Sequence, residues 1–401
     1  MSGGVVEMIN YKTLFSEDVA CFRSSPIREV LKNVDISKIY SFSGGYPAPE
    51  TFPLKSLNSL TQRVVDKYGD KTLQYGDTRG VPEFRKAIAE RYDLDVEKVQ
   101  ITSSSQQGID VCARILLNPG DVVLCENPCY LGALNSFYSY QAEVVGLDLS
   151  QSFEASQRRV EEVEKLLAKG KKIKFFYVIP DFQNPGGHTL SLAQRAEIVS
   201  LARRFGFLIV EDSPYREIRF EGEDVASIYS LAPDITLHLG SISKVFAPGL
   251  RLGWVIAEPE LLNTIFVCKQ SLDLCPNVLS QYLALEFLES GELDKNLLES
   301  RKIYKRKRDK LESLLEKYLP EGSSWTQPQG GLFIFVTLPE SLDVTALFPE
   351  AIKRGVAYVP GSYFFTDGSH RNTMRLSFSF IDEEKMETGM EILSKLLKEN
   401  L

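Results

Sequence analysis

Lys244 is the residue whose surroundings point most directly to chemistry. It lies in Gly240-Ser241-Ile242-Ser243-Lys244-Val245-Phe246-Ala247-Pro248-Gly249-Leu250-Arg251-Leu252-Gly253. An apolar run and two serines precede it; a Pro-Gly turn and an arginine follow it. Most lysines are solvated surface groups. One placed at the end of a buried strand is desolvated, and desolvation lowers the pKa of its amine. A neutral amine is a nucleophile toward a carbonyl carbon. Ser241, Ser243 and Arg251 are residue types that neutralise and hydrogen-bond a phosphate.

Three further polar clusters also follow apolar runs. Thr102-Ser103-Ser104-Ser105-Gln106-Gln107 opens a helical pattern, where hydroxyls and free backbone N–H groups can bind phosphate, or where a serine can simply cap the helix. Asp181-Phe182-Gln183-Asn184-Pro185-Gly186-Gly187 reads as a turn, with an amide available for hydrogen bonding. Glu211-Asp212-Ser213-Pro214-Tyr215 places carboxylates at the end of a buried strand, where they need a partner or a helix to cap. The four clusters together match the needs of pyridoxal 5′-phosphate (PLP): an amine for the Schiff base, a carboxylate beside the pyridine nitrogen, donors for the phenolic oxygen, a ring to stack, and a phosphate seat.

These clusters need a scaffold that brings strand ends together, and the apolar pattern supplies one. Apolar runs at Val99–Ile101, Val122–Cys125, Phe175–Ile179, Phe207–Val210, Ile235–Leu239 and Trp254–Ala257 include pairs separated by the helical stretches Gln106–Leu117 and Leu192–Arg204. That alternation predicts an α/β fold with a mainly parallel sheet flanked by helices, whose ligands bind beyond the carboxyl ends of the strands. After about residue 270 the pattern changes to a long charged helix, Leu293 to Tyr318, followed by runs at Phe333–Thr337, Ala357–Val359 and Met374–Phe380. This predicts a smaller α+β domain. The expected division is a large domain over 60–275, and a small domain built from 20–59 and 276–401.

The bulk properties fit an ordinary soluble enzyme. The chain has 401 residues, 43% hydrophobic and 25% charged, with a formal charge of −8. The acidic balance argues against nucleic-acid binding. Six scattered cysteines and three histidines show no metal-ligand spacing, and the cysteines read as reduced thiols. The N-terminal segment has no apolar signal region, and no stretch approaches the roughly 20 apolar residues of a membrane span. The expected location is the cytoplasm.

On its motifs the chain resembles the class I/II aminotransferases of the fold-type I PLP family, and most closely the subgroup of 2-aminoadipate and kynurenine aminotransferases. The likeness runs from about Ser24 to the C-terminus. It rests on SPIREVLK, SFSGGYPAPETFP, LQYGDTRG, ITSSSQQGID, ENPCYLGA, PDFQNPGG, VEDSPY, GSISKVFAPGLRLGW, PGSYFF and NTMRLSF. The resemblance implies a fold of a seven-stranded, mainly parallel sheet plus a smaller domain, with Lys244 as the Schiff-base lysine that moves the proton during turnover. It implies that Asp212 pairs with the pyridinium nitrogen, that Asn184 and Tyr215 bind the phenolic oxygen, and that Tyr130 stacks on the ring. Ser105, Gln106, Ser241, Ser243 and Arg251 would hold the phosphate. Tyr75 would reach the phosphate of a neighbouring subunit, which implies a homodimer with shared sites.

For the substrate, the resemblance implies that Arg375 grips the α-carboxylate, that Gly45 passes close by, and that Asn184 also contributes. Arg28 would read a side-chain carboxylate, although it also reads as a surface arginine. Phe364 and Phe365 read as core packing. One departure stands out. The subgroup commonly has Gly-Ser-Gln where this chain has Ser104-Ser105-Gln106, and a serine there costs energy if the loop needs a positive φ. The expected reaction is transfer of the amino group of an L-amino acid to a 2-oxo acid, 2-oxoglutarate by family habit. A PLP-dependent lyase on the same fold is the alternative. A non-catalytic regulator is disfavoured, because the likeness begins near residue 24 and leaves no room for a DNA-binding module.

Overall fold

A run with no polar alternation buries both faces of a strand, and IKFFYV at Ile173–Val178 does so. In the computed structural model, which describes residues 9–23 and 38–401, Phe175 and Tyr177 enter one hydrophobic cluster while Phe176 and Val178 enter another. In chain order the strands are β1 (Tyr40–Ser41), β2 (Val99–Thr102), β3 (Val122–Glu126), β4 (Glu143–Leu147), β5 (Ile173–Val178), β6 (Leu208–Asp212), β7 (Thr236–Ser241), β8 (Gly253–Ile256), β9 (Ser324–Trp325), β10 (Phe333–Thr337), β11 (Val356–Ala357), β12 (Val359–Pro360) and β13 (Thr373–Ser377).

Strands β2 to β8 form one seven-stranded sheet in the order β2-β8-β7-β6-β5-β3-β4. β4, β3, β5, β6 and β7 run parallel. β8 runs antiparallel to both its neighbours, β2 and β7. β4 is not among the apolar runs read from the sequence. It is an edge strand whose residues are mostly only half-buried, so it needs no continuous apolar run. The helices are punctuated as their sequences suggest. Leu192–Phe205 starts with a Ser191/Gln194 capping box and stops at Gly206, which adopts the left-handed φ of 73° that favours glycine.

The C-terminal part builds a second, antiparallel sheet, β12-β13-β10-β9. The apolar run at Ala357–Val359 divides here: β11 pairs in parallel with β1, and β12 pairs with β13. The Ser377 amide donates to the Phe42 carbonyl at 2.7 Å, so the segment around residue 42 is stitched to the C-terminal sheet. Of the early segment Ser24–Pro53, residues 24–37 lie outside the described residues. Among the described residues no helix is long and apolar enough to cross a membrane. No group of three His, Cys, Asp or Glu side chains among them could hold a metal ion. All six cysteines are free thiols.

This topology sets the site. Because β3, β5, β6 and β7 are parallel, the segments after Glu126, Val178, Asp212 and Ser241 emerge on one edge. Antiparallel β8 begins at the same edge, with Gly253 opposite both Thr102 and Ser241. The polar cluster after β2 is thereby drawn to the segment carrying Lys244.

Candidate active site

Lys244 follows β7 in a turn, and its Nζ donates to the Gly45 carbonyl at 2.7 Å. Burial, and then the positive charges of Arg375 and Arg251, lower its amine to about 8, against the opposing pull of Asp212. Asp212, the last residue of β6, is almost fully buried. Its Oδ2 accepts a hydrogen bond from the Tyr177 hydroxyl at 2.8 Å. Its Oδ1 has no hydrogen-bond partner among the described residues. Burial raises its carboxyl to about 6, although the Tyr177 hydrogen bond and the charges of His238 and Lys244 work the other way.

The segment after β2 enters the helix Ser105–Leu116, and a helix N-terminus offers free N–H groups. Gln106 Nε2 donates to the Gly132 carbonyl at 3.2 Å and to Ser136 Oγ at 3.0 Å. The Tyr130 hydroxyl donates to Gln106 Oε1 at 3.2 Å, which fixes that ring relative to the helix start. Ser241 Oγ lies 2.9 Å from Ser243 Oγ and also donates to the Leu252 carbonyl. Arg251 is exposed and adopts a φ of 53°, with its Nη1 donating to the Pro248 carbonyl at 3.3 Å. Ser104, the departure from the subgroup's pattern, adopts a φ of 149°, a conformation that suits glycine.

Arg375 lies in β13 and is 7% exposed. It donates from Nη1 to Asn184 Oδ1 at 2.8 Å and from Nη2 to the Ser43 carbonyl at 2.5 Å. Its Nε has no partner among the described residues. The guanidinium lies 4.3 Å from the Phe333 ring centroid and 5.2 Å from that of Phe364. Burial lowers its pKa to about 10, with Tyr215 and Tyr130 opposing, so it remains a cation at neutral pH. Asn184 also faces the Tyr215 hydroxyl, at 3.5 Å. An amine, a carboxylate and a helix N-terminus therefore lie on one sheet edge, and a guanidinium from the second sheet reaches Asn184 beyond β5.

The family model for aminotransferase class I and II matches residues 43–393. This chain belongs to the class I and II aminotransferase family. It is a PLP-dependent aminotransferase of fold type I. The aromatic-amino-acid aminotransferase 1 of Thermococcus litoralis is 41% identical over 400 residues, covering 98% of this chain and 96% of that protein. The crystal structure of a Pyrococcus horikoshii kynurenine aminotransferase, in complex with PMP, is 39% identical with a TM-score of 0.93 and 98% of each chain covered. LysN, an α-aminoadipate aminotransferase of Thermus thermophilus complexed with N-(5′-phosphopyridoxyl)-L-leucine, is 33% identical with a TM-score of 0.88, covering 98% of this chain and 99% of that one.

The residues of this aminotransferase fit PLP. The unpaired, buried Asp212 Oδ1 is a ready acceptor for a ring N–H, and Lys244 is a lysine amine with a depressed pKa. One member of the expected set stands apart: Tyr75 is 78% exposed. Arg28 lies outside the described residues. Phe364 is core, as expected, but it also faces the Arg375 guanidinium. Three contributors were not anticipated. Tyr177 holds Asp212, and its hydroxyl inside FFYVI is a signal the sequence does carry. Ser43 acts through its carbonyl, which no side chain advertises. Phe333 lies against Arg375 and Tyr215 and would meet a Cβ on Gly45 at 2.9 Å.

Proposed function

We propose that this aminotransferase takes the amino group from an L-amino acid, 2-aminoadipate-like, aliphatic or aromatic, and delivers it to a 2-oxo acid, with 2-oxoglutarate as the acceptor. The carrying observation is Arg375. It is a buried cation braced by Asn184 and Ser43 with an unpaired Nε beside apolar rings, which suits a carboxylate next to a less polar side chain. The named relatives act on aromatic, kynurenine and aminoadipate substrates, which supports the same range here.

PLP, when bound, supplies an electron sink that weakens the Cα–H bond of the substrate. The chain supplies the rest. Lys244 Nζ, its pKa lowered by burial, would take the proton from the substrate Cα and deliver it to the carbon that carried the PLP aldehyde. Asp212 keeps the ring nitrogen protonated, with Tyr177 fixing its second oxygen. Asn184 and Tyr215 orient the phenolic oxygen, and Tyr130 covers the ring. Ser105, Gln106, Ser241, Ser243 and Arg251 hold the phosphate. Arg375 orients the α-carboxylate beside Gly45. Phe333 and Phe364 limit the water that reaches it.

The same reading includes a cytoplasmic homodimer in which Tyr75 serves the partner's phosphate, and Arg28 as a reader of acidic side chains. It also includes a large domain over 60–275 and a small one from 20–59 and 276–401. A panel of amino donors with 2-oxoglutarate, followed by the cofactor's absorbance, tests the assignment. Transamination gives a new 2-oxo acid and glutamate; release of ammonia and pyruvate instead would overturn it. Lys244→Ala should remove turnover and leave a folded protein, and normal turnover in that variant would refute the role of Lys244.

A further inference from the structure

Lys269 is fully buried, yet it makes no contact with the reacting groups described above. It lies in the helix Pro259–Leu272. Its Nζ donates to Asp273 Oδ1 at 2.8 Å and Oδ2 at 3.0 Å, and to Gln107 Oε1 at 3.0 Å. Asp273 Oδ2 in turn accepts from Ser103 Oγ at 2.9 Å and from Gln107 Nε2 at 2.7 Å. Gln107 Oε1 also accepts from the Ser103 amide at 2.8 Å. The pair therefore grips the residues on either side of Ser104-Ser105-Gln106.

Three facts give this cluster a purpose beyond filling space. A buried lysine is costly unless it is paired, so its retention here calls for a reason. The segment it grips includes Ser104, whose φ of 149° a serine does not hold willingly and which needs support from both sides. The segment is also pressed against β8: a Cβ on Gly253 would lie 2.6 Å from both the Ser104 carbonyl carbon and the Ser105 nitrogen. There is an electrostatic side as well. A lone carboxylate this close to a phosphate seat would repel the phosphate. Lys269 cancels that charge while leaving the oxygens of Asp273 free to accept.

We propose that Lys269 and Asp273 are positioning residues: a charge-neutral clamp that holds the Ser103–Gln107 loop in its phosphate-binding shape. The proposal rests on the assignment of the start of the helix Ser105–Leu116 as the phosphate seat. The clamp touches neither substrate nor ring, so its loss falls on the phosphate alone.

The test compares the affinity of the apoenzyme for PLP with that for pyridoxal, which has the same ring and aldehyde but no phosphate, by fluorescence titration. Lys269→Met should weaken PLP by about tenfold or more, the scale of losing charge-assisted hydrogen bonds, and leave pyridoxal unchanged. Ser104→Gly introduced into that variant should restore most of the PLP affinity, because glycine holds the loop shape without the clamp. Should Lys269→Met fail to fold, Asp273→Asn carries the same PLP-selective expectation. Equal losses for PLP and pyridoxal, or unchanged PLP affinity with only a lower melting temperature, would overturn the clamp. Arg251→Ala separates the two ideas. If it discriminates PLP from pyridoxal and the clamp variants do not, the clamp alone falls. If none discriminates, the phosphate seat is wrong and the clamp falls with it.

Discussion

Lys244 and Asp212 hold their protons at unusual points on the pH scale, and that sets how the apoenzyme captures PLP. Burial lowers Lys244 to about 8 and raises Asp212 to about 6. Only a neutral amine attacks an aldehyde, so the rate of capture should rise with pH and level off above about 8. An ordinary lysine would keep rising to its pKa near 10.5. Below about 6, protonation of Asp212 removes the counter-charge for the ring nitrogen, and PLP affinity should fall. Stopped-flow absorbance from mildly acidic to strongly basic pH checks both limbs, and a rate that never levels off would contradict the depressed amine. Tyr177→Phe removes the hydrogen bond on Asp212 Oδ2. That leaves a buried carboxylate oxygen unpaired, which should cost about 1–3 kcal/mol of stability, and it removes a bond that opposes the rise of Asp212, so the acid limb of PLP binding should move to higher pH. Lys244, Asp212 and Asn184 are legible in the sequence, because a polar group in or just after an apolar run is conspicuous, whereas Arg375 is picked out only by the family resemblance. The Lys269–Asp273–Gln107 cluster is not. Gln107 is far along the chain from the other two, and each of the three, read alone, is an ordinary polar residue in or beside a helix.

β8 must approach the Ser103–Gln107 loop, and β7 must approach β8, without side chains in the way. A Cβ on Gly253 would meet the backbone of Ser104 and Ser105, and one on Gly240 would lie 2.1 Å from the Trp254 indole nitrogen. Backbone cannot swing aside as a flexible side chain can. Gly253→Ala should therefore cost about 1–3 kcal/mol of stability and weaken PLP binding together, because the loop must shift. Phe176→Ala offers the contrast. It empties a site in the second hydrophobic cluster and should cost about 3–5 kcal/mol with little effect on PLP affinity per folded molecule. Denaturant melts paired with PLP titrations separate the two patterns. The strand runs with both faces buried are readable directly, IKFFYV best of all. β4 is not, since an edge strand is selected for pairing rather than burial. Nor is the division of Ala357–Val359 between two pairings, since partner choice is decided by distant strands and leaves no local mark.

The proposed homodimer concerns the whole molecule. Tyr75 is 78% exposed and Leu73 84%, so one short segment presents two large side chains to solvent. Their segment lies against the start of the helix Val278–Glu289, where a Cβ on Gly76 would come within 2.8 Å of Val278. Leu274, just before that helix, is 51% exposed. A partner covering this face would bury all three, and would receive Tyr75 at its own phosphate seat. In that arrangement each site takes its lysine from one chain and its tyrosine from the other. A Lys244→Ala chain still offers a good tyrosine, and a Tyr75→Ala chain still offers a good lysine. Alone, the Lys244→Ala variant should be inactive and the Tyr75→Ala variant weak. Mixed and allowed to exchange subunits at random, half the dimers become hybrids with one complete site of two, so activity should recover to about one quarter of the wild-type value. Activity that stays at the mean of the two parents would mean that Tyr75 works within its own chain or not at all, and the shared site would be abandoned even if sedimentation shows a dimer.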